Sequence, residues 1–362
     1  MSDEFETLLI GGVPDEGETD SLHILEEYGL TPTIIAELQR NPNFSSDRKA
    51  YKKIKAIIKE FKPDIVHTHA AKAGALGRRA AIKCKVPVIV HTYHGHVFHS
   101  YFSSTKTKIY KAIERKLAKK TTGIIAISDE QKRELSLEHH ICEAKKIKVI
   151  PLGFDLMKFN THKTENRLET RQKFNLQDDE VAIAIVGRLA PIKDHAFFLD
   201  VIEQTLPNTN VPIKVFIVGD GAERSSIEQR VNQLNKKYQD TIIMTSWITD
   251  IAKFNAGMDI ICLTSKNEGT PVSLIEAQAS GVPIISTDVG GVKDIMKDGE
   301  TGYIIPKGDL EYFVKQLGEL IKNKEIREKM SQNGWSFVKE KFHYTTLVKN
   351  MEEYYMELLQ NK

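Results

Sequence analysis

Apolar residues along the 362-residue chain fall into short β-branched runs, separated by longer stretches with a helical repeat. Runs at residues 6–10, 33–37, 64–69, 87–91, 123–127 and 148–151 predict one series of strands. Runs at 181–186, 213–218, 241–245, 259–263, 283–286 and 302–305 predict a second. Several, such as 182–186 and 216–218, are continuously apolar, the mark of strands covered on both faces. Amphipathic spacing at 47–61, 73–83, 106–119, 222–234 and 309–321 predicts helices between them. Such alternation implies right-handed βαβ units and mainly parallel sheets. The expected fold class is therefore α/β, with two doubly wound, Rossmann-like domains.

The apolar pattern stops after Ile150, and residues 161–170 are polar. This places the first domain at 1–156, a linker at 157–176, the second domain at 177–341 and a final amphipathic helix within 342–362. Composition changes the picture only by exclusion. With 41% hydrophobic and 28% charged residues the chain is globular. A formal net charge of +2 is too balanced for a protein that lives on nucleic acid. Cys84, Cys142 and Cys262 lie far apart, which argues against a disulfide framework or a structural zinc. The acidic start and the lack of any apolar run near ~18 residues give the expectation of a cytoplasmic protein without a membrane span.

Two stretches offer chemistry at strand ends. Residues 267–281 follow an apolar strand and open a helix, with Thr270 as the expected N-cap, Pro271 at the first position and Gly281 past the end. Backbone N–H groups at 271–273, with the helix dipole, would make an anion site. Glu268 and Glu276 would offer acceptors to sugar hydroxyls, set against the plainer reading of a capped helix with two solvated glutamates. In the second stretch, Gly187 ends a buried strand and Arg188 and Lys193 emerge beyond it. An Arg fork and a Lys point charge suit a diphosphate held without metal, although a Gly-Arg after a strand can be mere surface charge.

These residues carry a resemblance. Gly187-Arg188, Lys193 and the Glu268-x7-Glu276 pair resemble the donor signature of family-4 glycosyltransferases of GT-B architecture. The flanking residues 264–271, 287–292 and 298–303, and 63–69 and 91–98 in the first half, resemble the same family in the same order. The resemblance implies two Rossmann-like domains facing a cleft, with the last helix crossing back to the first domain. It implies that Arg188 and Lys193 hold the donor diphosphate, Glu276 the ribose and Glu268 the transferred sugar. Backbone around Gly269, Thr270, Pro271 and Val272 would touch phosphate or sugar, and His94 would serve the reacting centre. The reaction implied is transfer with retention from a nucleotide-sugar, expected to be a UDP-sugar, with no further cofactor and no metal. The acceptor would be a saccharide or a lipid-linked molecule in bacterial surface-polysaccharide assembly. The rival readings are a nucleotide-sugar epimerase on the same frame and a binding protein with little activity.

Nine of the 12 histidines precede Cys142, and His67, His69, His91, His94, His96 and His99 cluster at two strand ends. A metal reading competes there with packed polar groups, and without an Asp-x-Asp the second is preferred. Residues 104–120 carry Lys106, Lys108, Lys111, Arg115, Lys116, Lys119 and Lys120 against a single Glu114. Docking onto anionic lipid competes there with an ordinary solvated face. Finally, the acidic stretch 11–18 after the opening strand resembles the loop that follows the family's second strand. The family's first strand–loop–helix unit is therefore expected to be absent, leaving an incomplete first sheet open to association, unless strand 6–10 takes the central place itself.

Overall fold

The computed structural model describes residues 4–13, 25, 29–39, 41–94 and 104–361, with side chains from Thr107 onward in the last segment. Two compact units divide the chain: Met1–Pro151 together with Val348–Lys362, and Leu152–Leu347.

In the first unit β1 (Ile10–Gly11) pairs, among the described residues, only with β2 (Thr33–Ile34), as a two-stranded parallel sheet. β3 (Ile65–His69), β4 (Val88–Tyr93), β5 (Gly123–Ala126) and β6 (Ile147–Val149) form a separate four-stranded parallel sheet in that order. Among the described residues, the strand near residue 10 therefore belongs to a sheet separate from the four-stranded one. Both sheets nevertheless share a helical layer, since Ile10 and Val66 pack on one apolar cluster that includes Ile54, Ile58 and Ala80. The helix Phe44–Phe61 buries Ala50, Ile54 and Ile58 there, and Asn43 Oδ1 caps it by accepting from Ser46 N at 3.1 Å. β4 is buried along its whole length, whereas the first three residues of β3 are only partly covered. Residues 14–18 of the acidic loop lie outside the described residues.

The last helix, Tyr344–Gln360, leaves the second unit at Leu347 and continues on the first. It buries Tyr354 and Tyr355, and its Glu357 meets Lys148 at 3.4 Å. Tyr355 also reaches His67 on β3, with 2.5 Å between the phenol oxygen and Nδ1.

Residues 157–176, expected as a linker, include two helices, Met157–Asn160 and Lys163–Lys173, that belong to the second unit. Their polar sequence is explained by charge pairing: Arg167 and Arg171 donate to the two carboxylate oxygens of Asp259 at 2.7 and 3.1 Å. A window scanned only for apolar residues misses a helix held this way.

The second unit is a six-stranded parallel sheet. Its strands are β7 (Val181–Val186), β8 (Ile213–Val218), β9 (Ile242–Thr245), β10 (Ile260–Leu263), β11 (Ile284–Thr287) and β12 (Gly302–Ile305), ordered β12-β11-β10-β7-β8-β9. That is the doubly wound order, whose topological switch falls between β7 and β10. Period-2 alternation sends Ala182 and Ala184 to one core, and Ile183 and Ile185 to the other. Apolar burial on both faces is what makes these strands easy to read.

Candidate active site

The carboxyl ends of β7 and β10 bring the donor candidates together in the second unit. Past β7 the chain passes Gly187 and the exposed Arg188, then makes a short turn at Pro191–Lys193. Past β10, Thr264 Oγ1 donates to the carbonyls of Lys193 and Asp194 at 3.1 Å each, and Lys266 N donates to Ile192 O at 2.8 Å. These bonds fasten the two loops to each other. Lys193 Nζ then donates to Glu268 Oε1 at 2.6 Å, and Ser265 Oγ donates to the same oxygen at 2.5 Å. The Glu268 side chain is only 10% exposed, so its charge is held in place rather than solvated.

The helix that follows is Val272–Ala279, with Pro271 rather than Thr270 in the cap position and no side-chain cap. Pro271 has no N–H, so the expected donors at 271–273 reduce to those of Val272 and Ser273. Gly281 takes a left-handed φ of +67° just past the end, as expected. Glu276 lies within the helix, half-buried. Burial pushes its carboxyl above the ordinary pKa, and Lys158 pulls the other way. A carboxylate destabilised by burial gains most from hydroxyl donors on a ligand.

Two glycines let neighbouring loops close on these. Gly290, at φ +49°, lies so near the Glu268 carbonyl that a Cβ would overlap it, and Gly291 N donates to the same carbonyl at 3.3 Å. Gly219, at φ +140°, stands equally close to the Gly187 carbonyl. Its loop, Gly219-Asp220-Gly221, is a part of the site that the motif reading missed, although a Gly-x-Gly after an apolar strand is a legible signal. His195 was also missed: it is 1% exposed, neither ring nitrogen has a hydrogen-bond partner, and burial lowers its pKa to about 4.

The first unit gathers histidines at the ends of β3 and β4. His67 and His69 lie on one face of β3, with ring centroids 4.3 Å apart. His69 Nδ1 is 2.8 Å from His94 Nε2, so one of these nitrogens carries the shared proton. His67 Nε2 is 2.7 Å from Thr92 Oγ1, and buried His91 Nδ1 is 2.9 Å from Thr68 Oγ1. Burial lowers His67 to about 3 and His69 to about 4, and the adjacent imidazoles add to both shifts. His94, at the surface, is lowered as well by the part of its ring that is covered. Among the described residues no group of three or more His, Cys, Asp or Glu is placed to hold a metal ion. His96 and His99 lie outside the described residues.

Comparison with known proteins agrees with this layout. Residues 166–336 match a family profile described as glycosyl transferases group 1, and residues 12–158 match one described as glycosyltransferase family 4. The chain is 31% identical over 331 residues to an Escherichia coli UDP-Gal:alpha-D-GlcNAc-diphosphoundecaprenol alpha-1,3-galactosyltransferase, covering 91% of this chain and 84% of that one. It is 26% identical to the capsular polysaccharide biosynthesis glycosyltransferase CapM of Staphylococcus aureus, covering 92% and 87%. Among solved structures, Anabaena HepE in complex with UDP superposes with a TM-score of 0.79 at 16% identity, covering 97% of this chain and 100% of that one. Two parallel-sheet α/β units, the matched profiles and a 31% identical relative along nearly the whole chain together assign it: this chain belongs to the family-4 glycosyltransferases of GT-B fold.

Proposed function

We propose that the chain moves a sugar, with retention and without a metal, from a UDP-sugar to a lipid-linked or saccharide acceptor in bacterial surface-polysaccharide assembly. The observation that carries this reading is the juxtaposition of Arg188, the Lys193–Glu268 pair and Glu276 at the β7/β10 switch point. Two cations supply what a metal ion supplies elsewhere, offsetting charge as it develops on the departing diphosphate. Glu276 would accept from the ribose hydroxyls. Glu268, whose other oxygen takes no part in the bonds to Lys193 and Ser265, would accept from the transferred sugar. The N–H groups of Val272 and Ser273 would complete the anion site. The name of the 31% identical relative supports a UDP-sugar donor and a diphospholipid acceptor, and the UDP bound in the HepE structure supports the nucleotide.

His94 is proposed as the residue of the first unit that serves the reacting centre. His69 would hold one ring nitrogen and leave Nδ1 for the substrates. Retention would follow from attack on the donor's front face, with the leaving phosphate taking the acceptor proton. No helix among the described residues is long and apolar enough to cross a membrane, and the reading places the protein in the cytoplasm.

A product assay with UDP-sugars in EDTA tests this. Transfer or slow hydrolysis should release UDP, and the product anomer, read by NMR, should match the donor's. Release of no UDP with an altered sugar would favour an epimerase, and no change at all a binding protein. Strict dependence on Mg²⁺ would overturn the metal-independent mechanism. His94→Ala should lower transfer at least tenfold while calorimetric UDP binding stays unchanged.

A further inference from the structure

Tyr355 in the last helix is buried, and its phenol oxygen lies 2.5 Å from His67 Nδ1 on β3. The two rings meet edge to face, with centroids 5.7 Å apart at 88°. The other ring nitrogen of His67, Nε2, lies 2.7 Å from Thr92 Oγ1 on β4. Burial keeps this imidazole neutral, so one nitrogen carries a proton and the other a lone pair. A phenol is a stronger hydrogen-bond donor than an aliphatic alcohol. Tyr355 is therefore the donor to Nδ1, and Nε2–H donates to Thr92.

The contact extends outward from His67 to the strand ends. Its ring centroid lies 4.3 Å from that of His69, at 34°. His69 Nδ1 in turn lies 2.8 Å from His94 Nε2, with the two rings 26° apart. Of these three rings only His67 has, among the described residues, a hydrogen-bond partner on both nitrogens, so it is the fixed end of the row. Anchoring the helix would not require this arrangement, since an aliphatic side chain packs without desolvating a phenol and an imidazole. Tyr354, the preceding residue, is such an anchor: its ring fills the space over Gly123 on β5, where a Cβ would overlap it.

We propose that Tyr355 is a positioning residue for His94: it fixes the His67 ring as the Nε2–H tautomer, and the fixed ring keeps His69 in line with His94 Nε2. The inference rests on the role given to His94 above, but the state of the imidazoles can be read apart from any transfer.

The test uses the full chain and Tyr355→Phe, with Tyr354→Phe as the control on the same helix. Long-range proton–nitrogen NMR of the imidazole rings at neutral pH should show His67 of the parent as the Nε2–H tautomer. In Tyr355→Phe that single-tautomer pattern should be lost and the His94 nitrogen signals should move, whereas Tyr354→Phe should leave both as they are. Thr92→Val, which removes the other partner of His67, should disturb the His67 pattern in the same way. The transfer kcat should fall about three- to tenfold in Tyr355→Phe, with the dissociation constant for UDP unchanged. An Nδ1–H tautomer of His67 in the parent, unmoved His94 signals in Tyr355→Phe, or equal changes in Tyr354→Phe would each overturn the positioning. Moved His94 signals with undiminished transfer would support the positioning and overturn the role given to His94.

Discussion

Lys193 Nζ lies 2.6 Å from Glu268 Oε1, joining the loop after β7 to the loop after β10 across the switch point of the second sheet. The pair does two things at once. It holds an ammonium at the strand ends, and it orients a nearly buried carboxylate whose second oxygen takes no part in the bonds to Lys193 and Ser265; the proposed reading assigns the first to phosphate and the second to a sugar hydroxyl. A buried pair of this kind is costly to break from one side, because the remaining charge loses its partner.

Lys193→Met is therefore expected to weaken UDP binding by about 1.5–3 kcal/mol, the range for a lost hydrogen bond to a charged group. Calorimetric titration checks this. An unchanged dissociation constant would mean that Lys193 serves only to hold Glu268.

Acid should destabilise the first unit through His67. Its folded-state pKa of about 3 lies below the ordinary 6.5 because of burial, so the unfolded chain binds a proton that the folded one refuses. Stability is complete above about pH 6.5 and falls on acidification at up to about 1.4 kcal/mol per pH unit, or about 2 kcal/mol by pH 5. Urea unfolding at pH 7 and 5, for the parent and His67→Gln, reads this directly. The parent should lose more than the variant, and equal losses would assign the acid sensitivity elsewhere.

Ala70, between His69 and the helix Ala71–Cys84, adopts φ +60° and ψ 164°, a region that only glycine enters without strain. Ala70→Gly is expected to stabilise the first unit by about 1 kcal/mol, the relief of strain outweighing the added freedom of the unfolded chain. A lower melting temperature in the variant would contradict the strained assignment.

The two-stranded sheet of β1 and β2 should be among the first parts of the first unit to open. An isolated pair of strands is marginal, and this one rests on the Phe44–Phe61 layer rather than on a continuous sheet. Amide exchange at Ile35, bonded to Gly11 O, should be at least a hundredfold faster than at buried Ile183 on β7. Equal protection would imply that β1 and β2 fold with the strength of a central strand.

Among the described residues each of the twelve strands overlaps one of the apolar runs along the chain, most plainly in the second unit, where parallel strands buried on both faces leave continuous Val and Ile runs. Only their ends differ, as with β1, which forms at Ile10–Gly11 rather than along residues 6–10. The helices Lys163–Lys173 and Lys324–Phe342 were not legible, the first because Arg167 and Arg171 pair with Asp259, which no apolar period records. The candidates Arg188, Lys193, Glu268 and Glu276 could be picked out because they stand in the loops after β7 and β10 or in the helix that the second loop opens. The cap was misread because Thr270-Pro271 has the composition of a capped start, while the structure begins its helix one residue beyond proline. The Lys193–Glu268 bond and the unpartnered His195 were invisible, since both depend on where distant loops meet.

The β7/β10 edge is proposed to bind a nucleotide-sugar without a metal. Isothermal titration of UDP into the parent, Arg188→Ala and Glu276→Ala, all in EDTA, tests it most directly. Binding by the parent, with tenfold or greater weakening in each variant, is the predicted result. Variants that bind UDP as tightly as the parent, or a parent that binds only when a divalent cation is restored, would contradict it.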